Sequence, residues 1–265
     1  MRHFVISDPH SYFSLMHKAL SDAGFFDYKG EKRLVLCGDA LDRGEEAQKM
    51  VDFLLSLLEK GELIYVAGNH EDLLVRLLHE VARGDVFSIA TGDSVHVRNG
   101  TWGTALQLAK MHKESAYRYP EMLVRRVMDT DYYQILLPKT QDYYETEHYI
   151  FTHGYIPCHM EGFPPMVKYS YDENWRNASV EQWKRARWFN GMELNCVYGV
   201  REEGKTIVCG HFHASYGHSK ISGVCSEWGR DAIFLPFYNE GIIAIDASVA
   251  NSGTINCIVI DDDPV

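Results

Sequence analysis

The sequence predicts an α/β fold, and three observations carry that expectation. Short apolar runs recur along the chain, each stopping at polar residues and most at a glycine, as buried strands do where they enter a loop. Between the early runs lie stretches with helical spacing, which gives the β-α-β rhythm of a parallel sheet. The chain is also long enough, at 265 residues, to fill one α/β domain spanning 1–265. Its 46% hydrophobic and 24% charged residues are ordinary globular proportions. A net charge of -11 argues against broad binding to nucleic acid or anionic membranes, which need a basic surface. A small anionic substrate stays compatible with that charge, because a metal site supplies its own local positive field.

The first strand, His3 to Ile6, begins at once and leaves no room for a signal peptide. It runs into Asp8-Pro9-His10. Read alone this is a turn, since Asp-Pro starts turns. In an extended segment, however, Asp8 and His10 point the same way and can reach one ion. Ser14 to Ala23 has helical spacing and Gly24 ends it. The second strand, Leu34 to Cys37, delivers Gly38-Asp39-Ala40-Leu41-Asp42-Arg43-Gly44, the stretch on which the chain is organised. Asp39 and Asp42 crowd one another unless a cation lies between them, and we expect Asp39 to bridge two metal ions. Arg43 can stabilise Asp42 or grip a phosphate with both arms. Glu45 to Lys60 reads as an amphipathic helix closed by Gly61. Leu63 to Ala67 is the third strand and ends in Gly68-Asn69-His70-Glu71-Asp72, before a helix over Leu73 to Ala82. A right-handed crossover puts both carboxyl ends on one edge, so Asn69 and His70 arrive beside Asp39 and Asp42.

Residues 84–147 read as a helical cap, and His79, His96, His112 and His148 as surface or satisfied histidines. Tyr149 to Phe151 is a strand that delivers Thr152-His153-Gly154-Tyr155. Residues 156–204 read as an irregular insertion on the substrate side, rich in aromatics that include Phe163, Tyr169, Trp175, Trp183 and Trp188. Within it, Lys184, Arg185 and Arg187 concentrate positive charge in an acidic chain. They form either a solvated helix face or, through Arg187, a phosphate clamp. Lys205 to Cys209 is the next strand and ends in Gly210-His211-Phe212-His213. Ile242 to Ile245 and Ile255 to Ile260 close the chain as strands ahead of an acidic tail. Six scattered cysteines form no C-x-x-C pair. Cys37, Cys209 and Cys257 sit in apolar runs, which suits buried free thiols and a cytoplasmic setting.

The strand ends together supply an Asp-x-His, a bridging Asp, an Asn, a lone His and a paired His. These mixed oxygen and nitrogen donors suit manganese, iron or zinc. The set resembles the calcineurin-like metallophosphoesterases, and G-D-A-L-D-R-G (38–44) with G-N-H-E (68–71) resembles their phosphoprotein phosphatase branch. The resemblance implies a four-layer αββα sandwich of two mixed sheets flanked by helices. By motif position it implies Asp8 and His10 on a first metal, Asp39 bridging, and Asn69, His153 and His211 on a second. His213 is a further ligand in many superfamily members. Arg43 would hold a phosphoryl oxygen, and His70, oriented by Asp42, would be the general acid. The implied cofactors are two divalent metal ions, manganese first, with iron, zinc or nickel as alternatives. Ser7, Pro9 and Ser11 stand where the branch usually has glycines. Tyr155 also departs from the pattern, and could narrow the pocket or stack on a base. The expected function is metal-dependent phosphoester hydrolysis by a hydroxide shared between the metals, first of all on serine/threonine phosphoproteins. Diadenosine tetraphosphate or another small nucleotide is the alternative substrate. A catalytically silent scaffold is the rival from a different class.

Overall fold

The apolar runs become strands whose polar ends are left at one edge of a sheet. The computed structural model describes residues 1–84, 86–90, 92–162 and 166–265. The strands of the first half are β1 (Arg2–Ile6), β2 (Lys32–Cys37), β3 (Leu63–Val66), β4 (Tyr144–Glu145) and β5 (Tyr149–Phe151). Those of the second are β6 (Cys158–Glu161), β7 (Lys168–Tyr171), β8 (Thr206–Cys209), β9 (Phe237–Asn239), β10 (Ile242–Ala244) and β11 (Cys257–Asp261). The longer helices are α1 (Phe13–Asp22), α2 (Ala47–Glu59) and α3 (Asn69–Ala82).

One sheet has the order β11-β1-β2-β3 and the other β4-β5-β8-β10-β9. In the first, β1, β2 and β3 are parallel, with Ile6 opposite Leu36 and Cys37 opposite Val66, while β11 runs antiparallel along β1. In the second, β5, β8 and β10 are parallel between antiparallel β4 and β9. Both sheets are therefore mixed. The strands that carry the candidate ligands are all parallel, which brings their carboxyl ends together within each sheet.

Alternation along the strands separates the layers. Phe4, Ile6, Leu34 and Leu36 face the helices, whereas Val5, Val35 and Cys37 meet Phe151, Val208, Ile245 and Ile260 between the sheets. On its far side the second sheet turns Ile150, Ile207, Cys209 and Ile242 toward Trp175, Trp183, Met192 and Leu194. The result is helix, sheet, sheet, helix. Each wholly buried Val, Ile or Leu of the inner layer contributes about 1.5–3 kcal/mol.

The stretch 84–147 is largely helical, with α4 (Val86–Ala90), α5 (Val95–Arg98), α6 (Thr101–Ala109), α7 (Lys113–Arg118) and α8 (Pro120–Met128). Trp102, Ala105, Leu123 and Val127 join the same core as Leu74 and Leu77 of α3, so these helices extend the layer over the first sheet. His96 is buried with Nε2 2.9 Å from Glu80, and His148 pairs with Asp262 at 2.8 Å.

Residues 156–204 are more regular than expected. They hold the β6–β7 hairpin, α9 (Val180–Ala186) and α10 (Gly191–Cys196). The hairpin is mostly exposed and so lacks the apolar alternation that marks a strand. Helix α9 starts on a reciprocal cap in which the Gln182 side chain accepts from Ser179 N at 2.8 Å. Trp183 of α9 stacks on Tyr143 with ring centres 5.4 Å apart. Phe163 lies outside the described residues. Cys37 and Cys209 are buried, Cys257 is half-buried, and none of the six thiols is paired.

One carboxylate ties the site-bearing loops to the fold. Glu71 is buried in the first turn of α3 and accepts from Gly68 N at 2.6 Å, Asp39 N at 3.0 Å and Ala40 N at 3.2 Å. It also accepts from the Tyr65 hydroxyl at 2.6 Å, on β3. Removing it strands several buried donors, each costing about 1–3 kcal/mol. Glu71→Ala should therefore lower the stability measured by urea unfolding by roughly 3–5 kcal/mol. A loss under about 1 kcal/mol would mean that the loops stand without this anchor.

Candidate dinuclear metal centre

The loops past the strands adopt backbone that side chains ordinarily avoid. Asp8, His10, Ser11, Asp39, Asp42, Arg43 and His211 all have positive φ, between 46° and 82°. Such positions cost of order 1–3 kcal/mol each and persist where the surroundings dictate them. Two glycines make the packing possible. At Gly38 (φ 82°) a Cβ would lie 2.5 Å from His153 Nδ1 and 2.7 Å from the Gly68 Cα. At Gly68 it would collide with the Asp39 carboxylate. Three strands can deliver Asp39, Asn69 and His153 to one point only because neither position carries a side chain.

Two groups of donors share Asp39. His10, Asp39 and His70 offer atoms within 4.8 Å of one another, and so do Asp39, His153 and His211. In the first, His10 Nδ1 donates to the Leu41 carbonyl at 3.1 Å, which leaves Nε2 toward Asp39 Oδ2 (3.8 Å) and Asp8 Oδ1 (3.9 Å). In the second, His153 Nδ1 donates to the Cys37 carbonyl at 2.8 Å, and Nε2 lies 2.8 Å from Asn69 Oδ1 and 3.4 Å from Asp39 Oδ1. Asp8 accepts from Ser7 Oγ and, at 3.0 Å, from His211 N. Lone pairs thus converge on lone pairs at two adjacent points.

The electrostatics agree. Burial, followed by Arg43 and His70, holds His10 well below the usual imidazole range, and burial does the same to His211. Burial also pushes the Asp39 carboxyl well up, with Asp8 and Glu71 adding to it against the opposing pull of His70. Neutral imidazoles beside a buried carboxyl that resists ionising suit a cation site. The donor set therefore fits two divalent ions: Asp8, His10 and Asp39 around one, and Asp39, Asn69, His153 and His211 around the other.

Next to these groups, His70 Nδ1 lies 2.6 Å from Asp42 Oδ2, and Thr101 Oγ1 donates to the same oxygen at 2.7 Å. Burial works against the His70 imidazolium, but Asp39 and Asp42 outweigh it and its pKa is raised. Its Nε2 faces Asp39 Oδ2 at 3.6 Å and Arg43 Nη2 at 3.5 Å. Arg43 is exposed at the rim.

The calcineurin-like phosphoesterase family model matches residues 1–241. The chain belongs to that family. Over 142 residues it is 29% identical to the asymmetrical bis(5'-nucleosyl)-tetraphosphatase PrpE of Bacillus subtilis, covering 51% of this chain and 53% of that protein. It is 27% identical over 142 residues to the PrpE of Bacillus velezensis, covering 51% and 52%. The chain thus spans about half the length of the curated relatives it matches. A cold-active protein tyrosine phosphatase crystal structure superposes with a TM-score of 0.54 at 14% identity, covering 98% of this chain and 73% of that one. A chain crystallised as a candidate diadenosine tetraphosphatase gives 0.51 at 14% identity, covering 99% and 93%. These two likenesses show the fold.

Three expected site residues of this phosphoesterase are placed elsewhere. His213 joins neither donor group: its Nε2 lies 3.1 Å from Glu227 Oε1 and its ring centre 4.2 Å from that of Trp228. Tyr155 is buried in the second core, its hydroxyl donating to the Val200 carbonyl at 2.8 Å and accepting from Asn195 at 3.3 Å, so it can neither line a pocket nor stack on a base. Arg187 is no free phosphate clamp: Nη1 bonds both oxygens of Asp72 (2.7 and 2.6 Å), and Nη2 bonds Asp142 at 2.6 Å. It joins the end of α9 to the start of α3.

Sequence reasoning missed Asp246, just past β10. It is buried, and its carboxyl is pushed well up by burial and then by Asp8. Its signal was one more parallel strand ending in a carboxylate. Thr101 and the anchoring role of Glu71 were missed as well. The placement of His213 predicts that His213→Ala keeps the wild-type metal content, measured by elemental analysis after reconstitution with Mn²⁺, whereas Asp39→Asn loses at least one ion per chain. An equal loss from both variants would put His213 back among the ligands.

Proposed function

We propose that this phosphoesterase hydrolyses nucleotide substrates of the dinucleoside polyphosphate class, using two divalent ions, manganese foremost. The observation that carries the substrate class is the kinship over half the chain to proteins named as asymmetrical bis(5'-nucleosyl)-tetraphosphatases. The complete donor set supports an active enzyme over a silent scaffold, since a scaffold has no need of buried, mutually repelling carboxylates. The motif set Gly38 to Gly44 with Gly68 to Glu71 supports a second reading, in which the substrate is a serine/threonine phosphoprotein.

Bound at these donors, divalent ions supply Lewis acidity and bring the pKa of water toward neutrality. The residues around them divide the rest of the task. His70 holds a proton on Nε2, the nitrogen not engaged by Asp42, and gives it to the departing oxygen. The Asp42 carboxylate on Nδ1 favours the protonated ring. Asp42 fixes the ring's orientation and is itself fixed by Thr101. Arg43, exposed and rooted beside His70, meets the non-bridging phosphoryl oxygens, where charge-assisted pairs are strongest.

Initial rates on diadenosine tetraphosphate, a phosphothreonine peptide and p-nitrophenyl phosphate, with Mn²⁺ and with chelator, test the substrate class. Chelator-sensitive turnover with kcat/KM at least ~10-fold higher for the dinucleotide than for the peptide is expected, about 1.4 kcal/mol of discrimination. The reverse order would return the protein to the phosphoprotein reading. For the acid, His70→Asn should keep its metal and lose roughly 10²–10⁴ in kcat on an alkyl phosphate, but much less on p-nitrophenyl phosphate, whose leaving group needs no proton. Equal losses would remove His70 from that role.

A further inference from the structure

A cleft of about 540 Å³ runs from Asn69 between α3 and α9. One wall is a stripe of α3 carrying Arg76 and ending at Arg83 just beyond the helix, and the other is Lys184 and Trp188. We propose that this cleft is the nucleotide-binding arm of the site, with Trp188 as the base-stacking surface and Lys184 and Arg83 as phosphate contacts. The proposal rests on the nucleotide reading above and specifies where selectivity for it resides.

Four observations support it. First, the cleft opens from the metal centre: Asn69 belongs to the second donor group, and the Trp188 ring lies edge-on to His211 with centres 5.6 Å apart. Second, Trp188 is 46% exposed, an unusual state for so large an apolar ring and one that leaves a face free to stack. Its neighbours Trp175 and Trp183 are buried in the second core, so Trp188 is the tryptophan of the insertion presented to a ligand. Third, Arg76, Arg83 and Lys184 line the cleft against two carboxylates, Asp72 and Glu80, a cationic balance in a chain of net charge -11. Arg76 is held by Glu80 at 2.6 Å, but Lys184 pairs with the exposed Glu181 at 3.1 Å, a contact weak enough to yield to phosphate, and Arg83 is exposed. Fourth, the size fits. Residues 69 to 83 along one helix span about 21 Å, room for a nucleoside and several phosphates in line. The Arg187–Asp72 pair ties the two walls together at the inner end and so keeps the cleft formed without ligand.

Stacking between a base and an aromatic side chain corresponds to roughly 5- to 150-fold in affinity. The test is calorimetric titration of a methylene-bridged, non-hydrolysable analogue of diadenosine tetraphosphate into the Mn²⁺-loaded protein, alongside turnover of diadenosine tetraphosphate and p-nitrophenyl phosphate. Trp188→Ala should weaken analogue binding at least ~5-fold and Trp188→Phe should restore most of it, because a ring face remains. Arg83→Glu combined with Lys184→Glu should weaken binding at least ~10-fold and make it less salt-dependent. The ratio of kcat/KM between the dinucleotide and the aryl phosphate should fall by a similar factor. Wild-type affinity in all these variants overturns the cleft assignment, whatever the wild type hydrolyses. Loss of analogue binding in the variants of a protein that does not turn over the dinucleotide upholds the cleft as a nucleotide site and overturns the substrate reading instead. A wild type that neither binds the analogue nor hydrolyses the dinucleotide overturns both.

Discussion

The constraint on which the rest depends is the buried carboxylate of Glu71. Its oxygens take backbone N–H groups from the loop after β2 and from the turn after β3, and the Tyr65 hydroxyl from β3 itself. In most helices a first-turn carboxylate satisfies its own helix's orphan donors. Here the same group also satisfies donors on the neighbouring crossover, so the two crossovers cannot shift independently. Asp39 is positioned from behind, with Oδ1 also accepting from His70 N at 3.0 Å and Oδ2 facing His10 and His70 at the centre of the site.

That arrangement stabilises a site that is unfavourable by itself. Its loops take left-handed backbone at a run of non-glycine residues, the Asp39 carboxyl resists ionisation, and the His10 and His211 imidazoles resist protonation. Strain and repulsion of this kind must be offset elsewhere, and the offset comes from the layered apolar core and the Glu71 network. The Arg176, Glu145, Glu202 and Lys205 cluster does comparable work at the far end of the second sheet, tying the insertion to β4.

How much of this was legible in the sequence depends on the range of the interaction. That Asp8, His10, Asp39, Asn69, His153 and His211 come close together was readable because each follows an apolar run, and parallel strands put run ends together. The sandwich itself was implied by resemblance and is borne out by the two mixed sheets. Residues whose role is set by partners distant in sequence were not readable. Arg187 looked like a loose cation because Asp72 and Asp142 lie 115 and 45 residues away. His213 stands two residues past His211, yet Glu227 captures it from a later loop. Tyr155 follows His153 closely, but the chain bends at Gly154 and sends the ring into the second core. The β6–β7 hairpin escaped notice because an exposed hairpin has little need of apolar alternation, and Asp246 because one carboxylate after a short strand carries little information.

The pairing of β11 with β1 sets the order in which the molecule can be finished. Strand β1, which presents Asp8 and His10, has β2 on one side from early in synthesis, but its other edge is covered only by Cys257–Asp261. Ile260 of β11 also completes the layer between the sheets. Since chains are made from the N-terminus, β1 waits with one row of backbone groups unpaired until residues 257–261 have emerged. The loop that presents Asp8 and His10 therefore stands on a strand with one uncovered edge until then. A nascent chain stalled before residue 257 would present an open strand edge where the finished protein presents a covered one.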